Sequence, residues 1–244
     1  MSLNINMKKS CLFVLTSLFI GGLLIWQIYI CIRLHFYVSC FVPTDSMSPT
    51  IVSGDYIGVS LLIPGRRVEV ENVMGIFELR RKKGIRRVAK DDIVVFNYPY
   101  WGQEEKMIMT KNQYHCKRCV ALPGDWYHWE IGNKKDSLFL PKVGSHLLID
   151  SLNFSNYYRC IEYETGIKPI KKSDGIYHAD TLLLNYEFQK DYYFMQGDNL
   201  MDSYDSRNWG VLPEDFIVGV AAFIWFSKDL QTDEIRWNRM FRCL

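Results

Sequence analysis

One apolar run near the amino terminus constrains this chain more than any other feature. Residues 11–32, CLFVLTSLFIGGLLIWQIYICI, include no charged side chain. A helix needs about 20 apolar residues to cross a bilayer, whereas a secretory signal has an apolar region of about 7–15 residues followed by a small-residue cleavage site. No such cleavage site follows this run. We therefore predict a retained transmembrane helix over residues 11–32, rather than a cleaved signal or a buried core helix.

The charges that flank the run predict its orientation. Lys8 and Lys9 precede it, whereas Arg33 alone follows it closely. Because cytoplasmic flanks carry the excess of basic residues, we expect residues 1–10 to lie in the cytoplasm. The rest of the chain then forms a domain on the extracytoplasmic side, held by a single-pass anchor.

The composition of the whole chain excludes two classes of protein. Lysine and arginine number 29 and aspartate and glutamate 27, a net charge of +2, which argues against a nucleic-acid-binding protein. Hydrophobic residues make up 48% and aromatic residues 15% of the chain. This content argues against a disordered chain and is sufficient for a folded core.

Short segments rich in Val, Ile and aromatic residues follow the apolar run, with turn residues between them. They are residues 37–42, 56–63, 93–96, 107–120, 126–131, 177–188, 192–195 and 216–226. Residues 150–164 instead have the pattern of a short helix. Because short strands greatly outnumber helices, we predict a mainly β, antiparallel domain behind the membrane helix.

Two of the seven cysteines, Cys116 and Cys119, form a C-x-x-C motif. Such a pair is found in zinc and redox sites, but no second pair or nearby histidine pair completes a four-ligand set. Residues three apart in a strand face opposite ways. We therefore predict that both cysteines fill packing positions and that there is no metal site. A disulfide between distant cysteines stays open.

Residues 80–87, RRKKGIRR, form the strongest cluster of charge. Runs of basic residues are usually solvated, and we predict a solvated loop or hairpin tip. The alternative is contact with anionic lipid headgroups, which is worth about 1 kcal/mol per basic residue near the membrane surface.

Ser46 is a candidate nucleophile because it follows a predicted strand and lies just past Pro43. A nucleophilic serine needs a base. None of the five histidines lies in a recognisable triad context. A lysine can act as the base if burial lowers its pKa by about 2–3 units, and Lys117 lies in an apolar, β-rich stretch. A solvent-facing Lys117, or a triad that uses His115, remains an alternative at this point.

Three segments taken together resemble the conserved boxes of type I signal peptidases, also called leader peptidases. The segments are Ser46-Met47-Ser48-Pro49-Thr50 with Gly54-Asp55, Lys117-Arg118 with Leu122-Pro123-Gly124-Asp125, and Gly197-Asp198-Asn199 with residues 202–210. They occur in the family's order behind an amino-terminal anchor. The resemblance spans nearly the whole chain, except for residues 126–190.

The resemblance implies a Ser-Lys endopeptidase that removes signal peptides from exported preproteins, with no cofactor. It assigns Ser46 as the nucleophile and Lys117 as the general base. Ser203 would orient the lysine amine, and the Ser46 N–H and the Thr44 hydroxyl would form the oxyanion hole. The substrate-binding residues would be Cys40, Val42, Pro43, His115 and Cys116. Structural support would come from Met47, Arg118, Asp198, Asp205 and Arg207.

The same resemblance predicts the organisation of the chain and its surroundings. Residues 33–125 and 191–244 would form the catalytic β-domain, and residues 126–190 an inserted, β-rich cap. The substrates would be preproteins with small residues at positions −3 and −1 of the cleavage site. The protein would be a monomer in the bacterial cytoplasmic (inner) membrane, in contact with the lipid bilayer.

One departure from the family's pattern leaves an alternative function open. The third box usually has Arg-Asp after Gly-Asp-Asn, whereas this chain has Leu200-Met201. The alternative is a catalytically altered relative that binds signal sequences or assists secretion. The intact Ser46 and Lys117 favour the enzyme.

Overall fold

The computed structural model describes residues 2–71, 77–100, 106–109, 113–131 and 134–244. It begins with helix α1 (Ser2–His35). Within α1, the 19 residues Phe13–Cys31 have a mean hydropathy of 1.9 and none of them is buried. At 1.5 Å per residue they extend over about 28 Å, which is close to the hydrocarbon thickness of a bilayer. Among the described residues, α1 is the one helix that could span a membrane, and its exposure excludes a buried core helix.

Strands make up most of the remaining secondary structure. In chain order they are β1 (Tyr37–Phe41), β2 (Asp55–Ser60), β3 (Arg67–Glu71), β4 (Phe77–Arg81), β5 (Ile93–Asn97), β6 (Tyr114–Ala121), β7 (Trp126–Ile131), β8 (Lys134–Phe139), β9 (His146–Leu148), β10 (Ile170–Lys172), β11 (Gly175–His178), β12 (Thr181–Leu182), β13 (Asn185–Glu187), β14 (Tyr192–Gln196), β15 (Leu212–Pro213), β16 (Ile217–Ser227) and β17 (Arg242–Cys243). The other helices are α2 (Phe154–Thr165), α3 (Ser206–Trp209) and two 3-10 turns, Glu214–Phe216 and Trp237–Arg239.

One large antiparallel sheet organises the domain. Its strand order is β1-β2-β16-β5-β6-β14-β15, and β17 pairs with β16. The sheet therefore joins strands from both ends of the domain, with β16 lying between β2 and β5. This architecture confirms the predicted mainly β, antiparallel fold behind an apolar helix.

The sheet separates two apolar clusters because alternate side chains of a strand face opposite sides. On β5, Val94 and Phe96 belong to one cluster, which also contains Phe194. Ile93 and Val95 belong to the other cluster. Every residue of β5 is buried, as expected of a strand covered on both faces.

The C-x-x-C cysteines fill packing positions on these two sides. Cys119 is fully buried in the cluster that contains Val94, whereas Cys116 packs against the cluster that contains Val95. Their opposite placement confirms the prediction from strand geometry. Both thiols are free, and the described residues include no group of three or more potential metal ligands.

Two predicted elements begin more than three residues before the elements that the structure has. The strand predicted over residues 107–120 begins only at Tyr114. Met107 forms an isolated bridge with Tyr100 and is buried in the core, so its apolar character reflects packing and not a continuous strand. The helix predicted over residues 150–164 is α2, which ends at Gly166 in the left-handed conformation, with φ of 77°.

The strands that the structure describes within residues 126–190 pair with one another rather than with strands of the large sheet. The pairs are β7 with β8, β9 with β13, and β10 with β11 and β12. However, Leu140, Ile161 and Phe188 are fully buried in the same cluster as Phe96. This segment therefore shares a core with the large sheet. Its treatment as a separate cap stays a prediction.

The basic run is largely exposed, as predicted, but Arg81 is an exception. Arg81 ends β4 and its guanidinium donates to three main-chain oxygens: Gly65 O at 2.7 Å, Glu214 O at 2.8 Å and Ile217 O at 2.7 Å. Arg86 pairs with Asp92 and Arg87 with Asp191. Carbonyl oxygens that are too deep for water need donors, and the planar guanidinium supplies several at once.

Candidate active site

The loop between β1 and β2 carries Ser46. Its base is closed by two main-chain hydrogen bonds, from Val42 N to Asp55 O and from Gly54 N to Val42 O, each of 2.9 Å. Inside the loop, Asp45 Oδ1 accepts from Ser53 N at 2.8 Å. These bonds fix the loop that presents the Ser46 hydroxyl.

Lys117 reaches this serine from β6. Its Nζ donates a 2.6 Å hydrogen bond to Ser46 Oγ across a sequence separation of 71 residues. The side chain is only 4% exposed, and it lies beside Val94, its partner on β5. Burial is the main cause that lowers the pKa of Lys117 below its ordinary value. The serine therefore faces an amine that loses its proton more readily than a surface lysine.

The segment after β14 supports the serine from its main-chain side. Asn199 N donates to Ser46 O at 3.1 Å, and Asn199 Nδ2 donates to Asp45 O at 3.3 Å. Sequence reasoning did not assign Asn199 a role. Its place in the Gly197-Asp198-Asn199 motif was the signal that could have suggested one.

Asp205 is the centre of a buried hydrogen-bond network. Its Oδ2 accepts from Ser203 Oγ at 2.8 Å and from Gly197 N at 2.9 Å. Arg207 Nε donates to Oδ1 at 2.8 Å. Burial alone would raise the pKa of the fully buried Asp205, but these donors outweigh it and lower the pKa. Asp205 therefore stays ionised and ties the turn at Ser203 to the motif that holds Ser46.

The hydrogen-bond partner of Ser203 is not the lysine amine that its expected role requires. Among the described residues, Lys117 Nζ makes its hydrogen bond to Ser46, and the Ser203 hydroxyl donates to Asp205. Because a hydroxyl that donates keeps its lone pairs available, Ser203 can still accept a hydrogen bond from an amine.

The other expected support residues lie around the same loop. Arg118 Nε and Nη2 donate to the two carboxylate oxygens of Asp198 at 2.7 and 2.6 Å. The third guanidinium nitrogen, Nη1, donates to Asp91 O at 2.8 Å. Met47 is 1% exposed and belongs to the cluster on the Val95 side. The Arg118–Asp198 pair therefore links β6 to the segment that holds Ser46.

A cleft opens beside the Ser46 hydroxyl, between β1 and β6. It brings together all of the expected substrate-binding residues with both ends of the Ser46–Lys117 bond. Its lining also includes Phe41, Ile57, Val95 and Tyr114, which sequence reasoning did not assign. Thr44 lies on the rim with an exposed side chain.

Both walls of the cleft have strand edges that no described strand covers. β1 pairs only with β2 and ends the sheet. On β6, the pairing with β14 begins at Arg118, so residues 114–117 are paired on their β5 side alone. An extended peptide could therefore add to either edge by main-chain hydrogen bonds.

Two thiols and one imidazole of the cleft are held in their neutral forms. Burial raises the pKa of Cys40 to about 11 and that of Cys116 to about 12, so both thiols are apolar lining at neutral pH. Burial, with a smaller contribution from Lys117, lowers the pKa of His115 to about 4. The His115 ring stacks on Tyr98 at 4.8 Å between centroids. The structure places Lys117, and not His115, against Ser46.

Comparison with known proteins identifies the family. Residues 14–226 match the family described as "Signal peptidase, peptidase S26". The chain belongs to this signal peptidase family. Signal peptidase I of Buchnera aphidicola subsp. Schizaphis graminum is 28% identical over 93% of this chain and 79% of that protein. Signal peptidase I of Aquifex aeolicus is 25% identical over 76% of this chain and 74% of that protein.

A relative from a plant organelle matches as well. Thylakoidal processing peptidase 1 (chloroplastic) of Arabidopsis thaliana is 27% identical over 80% of this chain and 43% of that protein. The predicted membership of the signal peptidase family, a family of hydrolases, is therefore confirmed. The family match includes the Ser46 loop, β6 and the Asp205 network in one alignment.

Gly197 allows a close approach of Ser203 and the Ser46 main chain in this signal peptidase site. A Cβ at this position would overlap Ser203 Oγ, and it would lie 2.5 Å from Ser46 O. We expect Gly197→Ala to lower kcat/KM for a preprotein by about 100-fold, because a displacement of about 1 Å from attack geometry costs that much. Steady-state kinetics on the purified protein measures this.

The control for Gly197→Ala is Gly175→Ala. There the added methyl meets only the end of the Leu182 side chain and the Tyr177 ring, and a flexible side chain can move. Its kcat/KM should stay within about twofold of wild type. Equal losses in the two variants would contradict the close-approach argument.

Proposed function

We propose that this protein is a membrane-bound serine endopeptidase that cleaves amino-terminal signal peptides from exported preproteins. Ser46 is the nucleophile and Lys117 the general base. The observation that carries the proposal is the 2.6 Å hydrogen bond between the buried Lys117 Nζ and Ser46 Oγ, in a chain of the signal peptidase family.

The proposed reaction has two steps that share one base. In the first step, neutral Lys117 takes the Ser46 proton as Oγ attacks the carbonyl carbon of the scissile bond. The protonated amine then gives that proton to the departing amine of the mature protein, which leaves an acyl-enzyme. In the second step, Lys117 takes a proton from water, the resulting hydroxide releases the signal peptide, and Ser46 regains its proton.

The remaining roles follow from position around Ser46. The Ser46 N–H and the Thr44 hydroxyl stabilise the negative oxygen of the tetrahedral intermediate. Ser203 orients the lysine amine, and Asp205 holds Ser203 by accepting a 2.8 Å hydrogen bond from its hydroxyl. Asn199 keeps the Ser46 main chain in place through the 3.1 Å bond to Ser46 O.

The substrate would lie extended between β1 and β6. Main-chain hydrogen bonds to the uncovered edges supply affinity without regard to sequence, and side-chain pockets supply specificity. Cys40, Val42 and Cys116 make the floor apolar, with neutral thiols, while Pro43 and His115 border it. Such a lining suits the small residues expected at positions −3 and −1.

We further propose that α1 is a single-pass anchor in the bacterial cytoplasmic (inner) membrane, with the β-domain on the extracytoplasmic side and the protein acting as a monomer. The exposed apolar span Phe13–Cys31 supports an anchor. β1 begins two residues after α1 ends. The cleft therefore starts close to the membrane, where signal peptides emerge.

The decisive experiment is cleavage of a preprotein by the full-length protein in detergent, with the cut site mapped by mass spectrometry. We expect one cut after small residues at −3 and −1. Ser46→Ala should abolish cleavage, whereas Ser48→Ala, in the same loop, should retain it. Binding of the preprotein without cleavage by the wild type would favour the alternative of a signal-sequence-binding relative.

The alternative has little support from the site. Leu200 is 56% and Met201 97% exposed, so the two residues that depart from the family's pattern are in contact with solvent. In the segment after β14, the residue that contacts the Ser46 main chain is Asn199, which immediately precedes Leu200.

The pH dependence of cleavage follows from the lowered pKa of Lys117. Only the neutral amine can accept the serine proton. The logarithm of kcat/KM should therefore rise with pH with a slope of one. It should level off below the ordinary lysine pKa of about 10.4. His115→Ala should keep this limb, since burial already holds His115 neutral. A flat profile between about pH 6 and 9 would contradict lysine as the base.

A further inference from the structure

The part of the basic run around Lys82 lies close to the point where α1 enters the β-domain. Phe36, the residue after α1, accepts a 2.9 Å hydrogen bond from Leu61 N. The next residue, Leu62, accepts a 2.9 Å bond from Ile85 N. Lys82 N bonds to Arg66 O at 2.9 Å. Residues 82–86 form a layer that is separated from the end of α1 only by Leu61 and Leu62, which are hydrogen-bonded to both.

This connection limits the distance from the membrane. The apolar span ends at Cys31, and the remaining turn of α1 adds about 6 Å. The headgroup layer extends about 5–8 Å beyond the hydrocarbon core, so Phe36 lies at its outer boundary when α1 crosses the bilayer. The hydrogen-bonded path places Ile85 within about 15 Å of Phe36. Residues 82–86 therefore lie within about 15 Å of the outer boundary of the headgroup layer.

The exposed charge of this layer is positive. Lys82 and Lys83 are exposed, and neither forms an ion pair with another described residue. Between them and Arg86, the Ile85 side chain is 76% exposed. Three arginines of the run already have partners: Arg86 and Arg87 pair with aspartates, and Arg81 donates to main-chain oxygens.

The acidic groups of the same groove oppose this charge only weakly. Glu214 and Asp215 line the groove with the basic run. Asp215 Oδ2 is already paired with Lys190 Nζ at 2.6 Å. Burial raises the pKa of Glu214, although Arg81 opposes that effect. The outward surface of this layer therefore consists of Lys82 and Lys83, which have no ion-pair partner among the described residues, and the exposed Ile85.

We propose that Lys82 and Lys83, with Ile85, form a second membrane contact that binds the anionic lipid headgroups of the leaflet from which α1 emerges. The proposal rests on α1 crossing the bilayer and is independent of the peptidase activity. This contact and α1 together hold the domain to the membrane at two points. The cleft between β1 and β6 would then keep one orientation to the membrane instead of rotating about a single tether.

The test measures lysine acylation in the intact protein. The full-length chain is reconstituted into vesicles of phosphatidylcholine alone, or of phosphatidylcholine with one third phosphatidylglycerol. Resistance of the protein to alkaline extraction confirms that α1 is inserted. Amine-reactive acetylation is then followed residue by residue by mass spectrometry. Lys171 and Lys172, a second adjacent pair exposed on β10, provide a control within the same sample.

We expect Lys82 and Lys83 to react about fivefold more slowly in the anionic vesicles, because each basic residue near an anionic surface favours contact by about that factor. The protection should disappear in about 1 M NaCl, where the Debye length is about 3 Å. The rates at Lys171 and Lys172 should not change between the two lipid compositions.

Three results would overturn the proposal. The first is equal reactivity of Lys82 and Lys83 in both kinds of vesicle. The second is equal protection of all four lysines, which would indicate a general surface effect. The third is protection by inorganic phosphate in phosphatidylcholine vesicles that matches the effect of the anionic lipid, which would indicate a site for a soluble anion.

Discussion

Replacing Lys117 with methionine should lower kcat for preprotein cleavage by roughly 10²- to 10⁴-fold, the contribution of a positioned general base. Methionine fills a similar volume in the space beside Val94 but cannot accept the Ser46 proton. Initial rates of cleavage under saturating substrate measure the effect. Lys171→Met makes the same change on exposed β10 and should keep the wild-type rate. A Lys117→Met protein with more than a tenth of wild-type activity would contradict the assignment.

The same variant should not lose stability, which separates a missing base from a misfolded protein. Burial of the ammonium opposes folding at the pH values where the amine is charged, as the lowered pKa of Lys117 indicates. Methionine removes this cost, and replacement of a buried charge by an apolar residue is often neutral or stabilising. The melting temperature of Lys117→Met should therefore equal or exceed that of the wild type at neutral pH.

This comparison has a definite dependence on pH. Between the lowered pKa of folded Lys117 and the ordinary value of about 10.4, the unfolded chain binds more protons than the folded one. The wild type should thus gain stability relative to Lys117→Met as the pH rises through this window. Urea unfolding at neutral and alkaline pH measures the difference. A constant difference in the free energy of unfolding would mean that Lys117 is not desolvated.

Asp205→Ala should lower the free energy of unfolding by about 3–5 kcal/mol, the cost of removing one partner of a buried ion pair. The side chain of Asp205 is fully buried and that of Arg207 is 11% exposed. The change leaves the Arg207 cation and the Gly197 N–H without their acceptor. Denaturant unfolding measures the loss. In the folded fraction, kcat should also fall, because Ser203 and the motif at Gly197 lose their common support.

Asp202→Ala is the matched control for this experiment. Asp202 lies three residues earlier in the same loop, and its side chain is exposed. Its removal should change the free energy of unfolding by no more than about 0.5 kcal/mol and leave kcat within about twofold of wild type, since exposed substitutions away from special features have small effects. Similar losses in the two variants would show that the loop, and not the Asp205 network, is sensitive.

Some residues of the site could be predicted because they lie in short motifs, and others could not. Ser46, Lys117 and Asp205 each sit in a recognisable box. Asn199 was missed as a support, because its role depends on contact with a loop more than 150 positions earlier in the chain. The partner of Ser203 was also unexpected, since several acceptors are near it in sequence and only the folded turn selects Asp205.

The basic run illustrates a limit of reading charge from sequence. Six basic residues in eight positions predict a solvated loop, and the exposed Lys82 and Lys83 agree with that. Arg81 does not, because it enters the interior to satisfy three carbonyl oxygens near Gly65 and residues 214–217. Which guanidinium is buried depends on where main-chain acceptors lack donors, and that is a property of the packed chain.

The sequence by itself determined the apolar helix, the β-rich class of the domain and the family, because each depends on local pattern: an uncharged run, alternating apolar residues and short motifs. The tertiary structure decided which base faces the serine. His115 and Lys117 lie two residues apart on the same face of β6, so local pattern could not choose between them. The fold placed Lys117 against Ser46 and stacked His115 on Tyr98, because the path of the Ser46 loop is fixed by contacts with distant segments.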